Sequence, residues 1–322
     1  MARDQFFHIK SISISDSSDI KISTTRKMKH SVFLYLIVII MASCRELVTD
    51  KFPEFPAKPT INSILIKDST LKVQVSLAGK LDTSKLALID NADVSLYVDG
   101  IYKETMTLLD KGLYSSSVVV EPLKSYKCEV YIPGYELASG SDSIPVPVVP
   151  SEIIHIDIAG KDEEAMTYPA VKFTFSNDPT VKQYYEVVIR LIRYRYESVA
   201  SLETIIDPVL LNEGLPLALF SNESIKGSSY TMTINYFTGS AGSSNGEPLR
   251  TTLFPVILEL RSVSFSYYQF VKQKYLYEKG RYPEFMAAST IAFPLYSNIK
   301  GGYGIFAGYS SIKSDTIFPG SN

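Results

Sequence analysis

Few residues in this chain have the type and spacing that chemistry needs. It holds 3 histidines and 2 cysteines. His155 stands between Ile154 and Ile156, with no Cys or carboxylate companions at zinc-ligand spacing. A catalytic triad built on it would need a nucleophile, and no G-x-S-x-G elbow occurs. Cys128 alternates with Tyr126, Val130 and Ile132, a setting in which a thiol behaves as a small buried hydrophobe. The stretch GGYGIFAGY at 301–309 is glycine-rich but lacks the Gly-Lys-Ser/Thr ending of a phosphate loop. Its glycines read instead as places for a bulge or a close strand crossing. Asp162-Glu163-Glu164 lacks the alternating spacing of a calcium loop and reads as a solvated turn. Carboxylate pairs for glycoside hydrolysis are set by separation in space, and no local pattern marks one. No cofactor and no metal is expected.

Cys44 is different. Arg26, Lys27 and Lys29 form a positive patch, followed by an apolar run at 32–41 (VFLYLIVIIM), then Ala42, Ser43 and Cys44. As a helix the run rises about 15 Å, half of a roughly 30 Å hydrocarbon core, so it is short for a transmembrane span. It has the layout of a secretory signal peptide: charged region, short apolar region, small residues at the cut. MASC resembles a bacterial lipobox, with Met41 where Leu is usual. In such a motif the cysteine is acylated, becomes the new N-terminus and anchors the chain with two or more lipid tails. A plain signal peptide ending by chance in Cys is the alternative. Residues 1–27 are polar and Ser-rich and precede the charged patch. Met28 would open a conventional signal peptide over 28–43, so 1–27 are expected to be a mis-called upstream extension.

The composition of the 322 residues as a whole, 45% hydrophobic, 20% charged and 12% aromatic, describes a globular chain. A mean hydropathy of +0.06 excludes a polytopic membrane protein. A formal charge of −2 excludes the net basic field of a nucleic-acid binder. With Cys44 acylated, Cys128 is the only other thiol, so no intramolecular disulfide forms and packing must hold the fold.

The elements positioning these residues are strands. A tether at 44–60 carries Pro53, Pro56 and Pro59 and favours extended geometry. From about 61 the period is two: Leu71, Val73, Val75 and Leu77 form one apolar face, Val94, Leu96 and Val98 another. Asp99-Gly100 between two such runs predicts a tight hairpin. Asp110-Lys111-Gly112 and Pro133-Gly134 mark further turns. Short strands with turns every 8–12 residues indicate an N-terminal β-sandwich over 61–150, resembling immunoglobulin-like or prealbumin-like sandwiches. The proline-rich stretch SDSIPVPVVPSE leads to a boundary near Ser151.

Residues 151–322 read as a second, larger β-sandwich. Ile154, Ile156 and Ile158 alternate, as do Val171, Phe173 and Phe175. Tyr185, Val187, Ile189 and Leu191 share one face and Glu186, Val188, Arg190 and Ile192 the other, so both faces of that strand are expected to be partly covered. One amphipathic helix is expected at about 266–279, with Ser266 and Gln269 as a capping box and Phe265 and Phe270 as a staple. It is expected to plug an open end of the sandwich. The chain has 22 Tyr and no Trp. Tyr267, Tyr268, Tyr275, Tyr277 and Tyr282 form a candidate ligand or partner surface, since Tyr is rigid and amphipathic; packing of the helix on the sandwich is the alternative.

The C-terminal pattern carries a family resemblance. A Tyr-rich helix is followed by Ser297, Asn298, Ile299, Gly301, Gly302, Gly304, Ile305, Phe306 and Tyr309, with Ala307 where Gly is common. NDPTVKQYYEV, LALFSNESIKG and NADVSLYVDG are further matching segments. Over roughly 44–318 the chain is similar to a family of exported Bacteroidota lipoproteins known as domain of unknown function 4249. The resemblance implies an outer-membrane lipoprotein, anchored through Cys44 and often encoded beside a TonB-dependent receptor. A non-enzymatic binding or accessory role is then expected. A structural or adhesive surface protein and a carboxylate-dependent hydrolase are the alternatives. Glu46 and Asp50 are separated by Leu47, Val48 and Thr49, an incomplete acidic export signal that leaves the membrane face open.

Overall fold

The computed structural model describes residues 56–78, 87–194, 196–242, 250–281 and 293–320. Cys44, residues 1–43 and Tyr282 lie outside them.

The chain is mainly β. Strands β1 (Pro59–Ile66), β2 (Thr70–Leu77), β3 (Ala87–Leu88), β4 (Asp93–Val98), β5 (Ile101–Thr105), β6 (Thr107–Asp110), β7 (Leu113–Val119), β8 (Ser125–Tyr131) and β9 (Ala138–Ser143) come first. Next are β10 (Ser151–Lys161), β11 (Thr167–Ser176), β12 (Tyr184–Arg193), β13 (Tyr196–Val199) and β14 (Ser201–Leu202). The helix α1 (Pro208–Glu213) precedes β15 (Leu219–Ser221), β16 (Ser229–Phe237), β17 (Ala241–Gly242), β18 (Arg250–Thr251) and β19 (Val256–Val263). The helix α2 (Phe265–Arg281) and the strand β20 (Tyr303–Lys313) complete the order.

One large sheet runs β13-β12-β19-β20-β1-β2-β7-β6. Two four-stranded sheets cover parts of it. The first, β5-β4-β8-β9, encloses a core with β1, β2 and β7. The second, β10-β11-β16-β14, encloses another with β12 and β19. The alternation seen in sequence sets both. Leu71, Val73, Val75, Val94, Leu96, Tyr126, Cys128 and Val130 point into the first core. Val171, Phe173, Phe175, Tyr185, Val187, Ile189 and Leu191 point into the second. The Asp99-Gly100 hairpin forms with both residues at positive φ, 52° and 78°, pairing Val98 with Ile101.

The position near Ser151 separates two cores but not two sheets. The last strand, β20, lies between β19 and β1 and pairs with β1 in parallel, Thr60 with Tyr303 through Ile66 with Tyr309. Its Phe306, with the preceding Ile299, is buried in the first core. β1 begins at Pro59, inside the stretch read as tether.

Glycines permit this approach. Gly304 has φ +112°, and an added Cβ there would stand 2.0 Å from the Ile61 carbonyl oxygen. On Gly302 it would stand 2.3 Å from that of Pro59. Asn298 grips the strand: its amide N–H donates to the Phe306 carbonyl at 2.7 Å and its oxygen accepts the Phe306 N–H at 2.9 Å.

α2 does not plug an open end. It lies on the sheet face opposite the cores, with Tyr267 and Tyr268 against Val263, Ile305 and Ala307. The N-cap is Ser264 rather than Ser266. The chain turns off β19 there, and the Ser264 hydroxyl accepts the Tyr267 N–H at 3.2 Å. The same face holds an ion network. Arg261 donates to Glu259 at 2.8 Å and to Glu186 at 2.7 Å, and Arg190 donates to Glu259 at 2.7 Å. Burial pushes the Glu259 carboxyl up, but the two arginines outweigh it and hold it below the usual range. Tyr267 donates to Glu186 at 2.9 Å, tying α2 to the charges beneath it.

Gly304→Ala is expected to lower stability by about 3 kcal/mol or more, combining backbone strain with a clash against β1. Urea denaturation of the full chain checks it; a loss within about 0.5 kcal/mol would show that β20 can shift to admit the methyl group.

Candidate functional site

A seam where the end of the first covering sheet meets the paired ends of β12 and β19 holds a cleft of about 470 Å³. Its floor includes Ser262 at the end of β19 and Tyr185 on β12. One wall is the chain leaving the first covering sheet, from Asp142 to Val146. The other is the approach to β12, from Val181 to Tyr184, with Ser264 and Phe265 at the start of α2. Hydrogen bonds hold the walls. Ser310 donates to the Pro145 carbonyl at 2.6 Å, and Tyr185 donates to the Gln183 side-chain oxygen at 2.8 Å.

The rim is apolar and open to solvent. Leu123 is 76% exposed, Val146 and Val181 52% each, and Phe265 49%. Leu123 adopts φ +66°, a strained conformation for a bulky residue that is informative where it lines a cleft. Phe265 is braced by the Tyr184 ring, with centroids 5.5 Å apart. Lys182 lines the same wall but its ammonium is engaged by Glu223.

Two lining residues carry buried side-chain atoms that make no hydrogen bond, Ser262 Oγ and Asp142 Oδ2. Asp142 Oδ1 accepts the Ser143 N–H at 2.9 Å. Burial pushes the Asp142 carboxyl up to about 6, against the pull of the Ser264 hydroxyl, the Ser143 N–H and the Ser266 hydroxyl. The two hydroxyls act on the carboxyl without closing a bond to Oδ2.

The residues singled out in the sequence fall elsewhere. Tyr267 and Tyr268 are buried under α2. Tyr268 donates to Glu213, as does Lys272 at 2.9 Å. Tyr275 and Tyr277 are half-buried further along the helix. His155 is buried and bonded on both sides, its Nδ1 2.6 Å from Asp157 and its Nε2 2.7 Å from the Tyr236 hydroxyl. Burial drives the Cys128 thiol up to about 12, so it is no nucleophile. Asp162 closes its own turn by accepting the Glu164 and Met166 N–H groups. Among the described residues no three His, Cys, Asp or Glu side chains gather as a metal site, and no helix is long and apolar enough to cross a membrane.

The cleft escaped the sequence reading because its walls come from four separate segments. The one local signal was Ile144 through Val146, apolar residues next to Asp142 in a proline-rich exit.

A family model described as Domain of unknown function (DUF4249) matches residues 45–315. No curated protein matches the chain.

A carboxyl whose pKa is raised by folding holds its proton more tightly in the native state. Its contribution is therefore fully present below the unfolded value of 3.8 and lost as pH rises through about 6. That gap corresponds to about 3 kcal/mol. Asp142→Asn, which cannot ionise, is expected to stabilise the protein by up to about 3 kcal/mol at neutral pH and to change little below the unfolded pKa. Urea denaturation at the two pH values measures this; the same shift at both would place its origin outside the ionisation of Asp142.

Proposed function

We propose, from the premise that the chain belongs to the DUF4249 family, that it is a lipid-anchored, non-enzymatic binding protein of the outer membrane. On this reading it serves as an accessory to a TonB-dependent transporter. The observation that carries the reading is the seam cleft: a concavity between two cores, rimmed by exposed apolar side chains and lined by residues whose buried polar atoms lack partners. That combination suits capture of a ligand more than packing. Among the described residues lining it Asp142 is the one carboxyl, where glycoside hydrolysis uses two.

The anchor rests on the sequence MASC at 41–44 behind a short apolar run. Acylation of Cys44 by two or more chains would hold the protein at a bilayer without a spanning helix. The prolines that follow would extend the chain and lift the body clear of the headgroups. The transporter partner rests on the family resemblance alone, which is analogy.

Cys44→Ser is expected to shift the protein from the membrane fraction to the soluble fraction, while mass spectrometry of the parent finds an acylated Cys44 at its N-terminus. An unmodified sulfur with residues 28–43 still attached would end the anchor. Gentle purification of the parent from native membranes is expected to recover a TonB-dependent transporter, and its consistent absence would end the accessory role.

A further inference from the structure

The cleft contains a carboxyl that no cation faces among the described residues. The influences on Asp142 are burial, which opposes its charge, and three uncharged donors, the Ser264 and Ser266 hydroxyls and the Ser143 N–H. Lys182, the one cationic side chain among the described residues lining the cleft, is engaged by Glu223 and lies 5.8 Å from the centre of the Tyr184 ring. The N-terminus of α2 offers partial positive charge through its first N–H groups, but a partial charge does not balance a whole one. Glu259 is balanced by Arg190 and Arg261, and the buried Asp207 has neutral donors on both oxygens, Val209 N–H and the Tyr230 hydroxyl on Oδ1 and Thr233 N–H on Oδ2, whereas Asp142 keeps one oxygen, Oδ2, without a partner.

An ionised carboxylate left in this state weakens the fold, and an asparagine would fill the same space without that cost. A group held against stability inside a cleft is what a binding site does when the missing partner arrives from outside. The rim defines the rest of the ligand. Leu123, Val146, Val181 and Phe265 surround the opening with apolar surface, and the volume of about 470 Å³ suits a small molecule.

We infer that the seam cleft takes a small amphipathic organic cation, its protonated nitrogen beside Asp142 and its aliphatic or aromatic body between the four rim side chains. Ser262 Oγ, without a partner on the cleft floor, supplies a second polar contact. This rests on the reading of the cleft as a binding site and narrows it to a ligand class.

Titration calorimetry of the full chain in lipid nanodiscs tests it, with phenethylamine and with 2-phenylethanol, the uncharged counterpart of nearly the same shape. The amine is expected to bind about tenfold tighter or more than the alcohol, as one compensated charge allows. Asp142→Asn is expected to erase that preference. Because this substitution preserves shape and is expected to raise stability, lost preference would not be a sign of unfolding. Ser262→Ala is expected to weaken the amine by a smaller factor. Equal binding of amine and alcohol, a preference that survives Asp142→Asn, or no binding of either probe would overturn the inference. Equal binding would still leave a ligand-binding cleft. Loss of the transporter partner in the membrane purification would leave an observed amine preference untouched.

Discussion

The parallel pairing of β1 with β20 is the constraint on which the rest depends. It joins the start of the body to its end and makes one sheet serve two cores. Phe306 and Ile299 complete the first core from the C-terminal side, while Ile305 and Ala307 of the same strand support α2 on the opposite face. Side chains alternate across a strand, so one strand can meet both demands. The backbones approach closely enough that glycine is needed where β20 enters, at Gly302 and Gly304. The glycine-rich stretch therefore acts in assembly.

Two of the charge environments show opposite solutions. On the helix-bearing face, Glu186, Arg190, Glu259 and Arg261 alternate in sign across two paired strands and satisfy one another. Removing Arg261 would leave Glu186 without its cation, and removing Glu259 would leave Arg190 without its carboxylate. At the seam, Asp142 has donors but no countercharge among the described residues. The two sites differ because the ion network lies between paired strands whose register fixes both partners, Glu186 opposite Arg261 and Arg190 opposite Ile257 beside Glu259. At the seam the ends of β12 and β19 pair, Tyr185 with Ser262, but the strand bearing Asp142 pairs with β8 in another sheet, so no register sets a countercharge opposite it.

Much of the strand pattern could be read along the chain. The faces of β2, β4, β8, β11 and β12 are buried as their alternation requires, and the Asp-Gly hairpin forms with the expected positive φ values. The second face of β12 is partly covered, as its mixed composition suggested, with Val188 buried and Glu186, Arg190 and Ile192 half-buried. Other readings failed for identifiable reasons. On β10 the alternation was real but its sense was opposite to hydropathy: Ile154 and Ile158 face outward and His155 faces in, where Asp157 and Tyr236 satisfy both ring nitrogens. Irregular pairing between Ser151 and Ile154 resets that strand. Ser264 displaced Ser266 as the cap because the chain leaves β19 at that point. The short helix α1 was missed although its signals stand in the sequence: Asp207 as cap, Pro208 next and Gly214 at the end.

By itself the sequence determined what depends on neighbours within a few residues: strand periodicity, tight turns, a long helix, and the charged, apolar and small residues leading to Cys44. It also settled family membership through segments spread along the chain. Only the tertiary structure decided that the last strand sits beside the first, that α2 lies on a sheet face, and that Asp142 shares a cleft with Ser262 and Phe265. The reason is that periodicity is a property of one segment in its own frame. Pairing, burial and an unbalanced charge are relations between distant segments, set when several faces compete for the same partners.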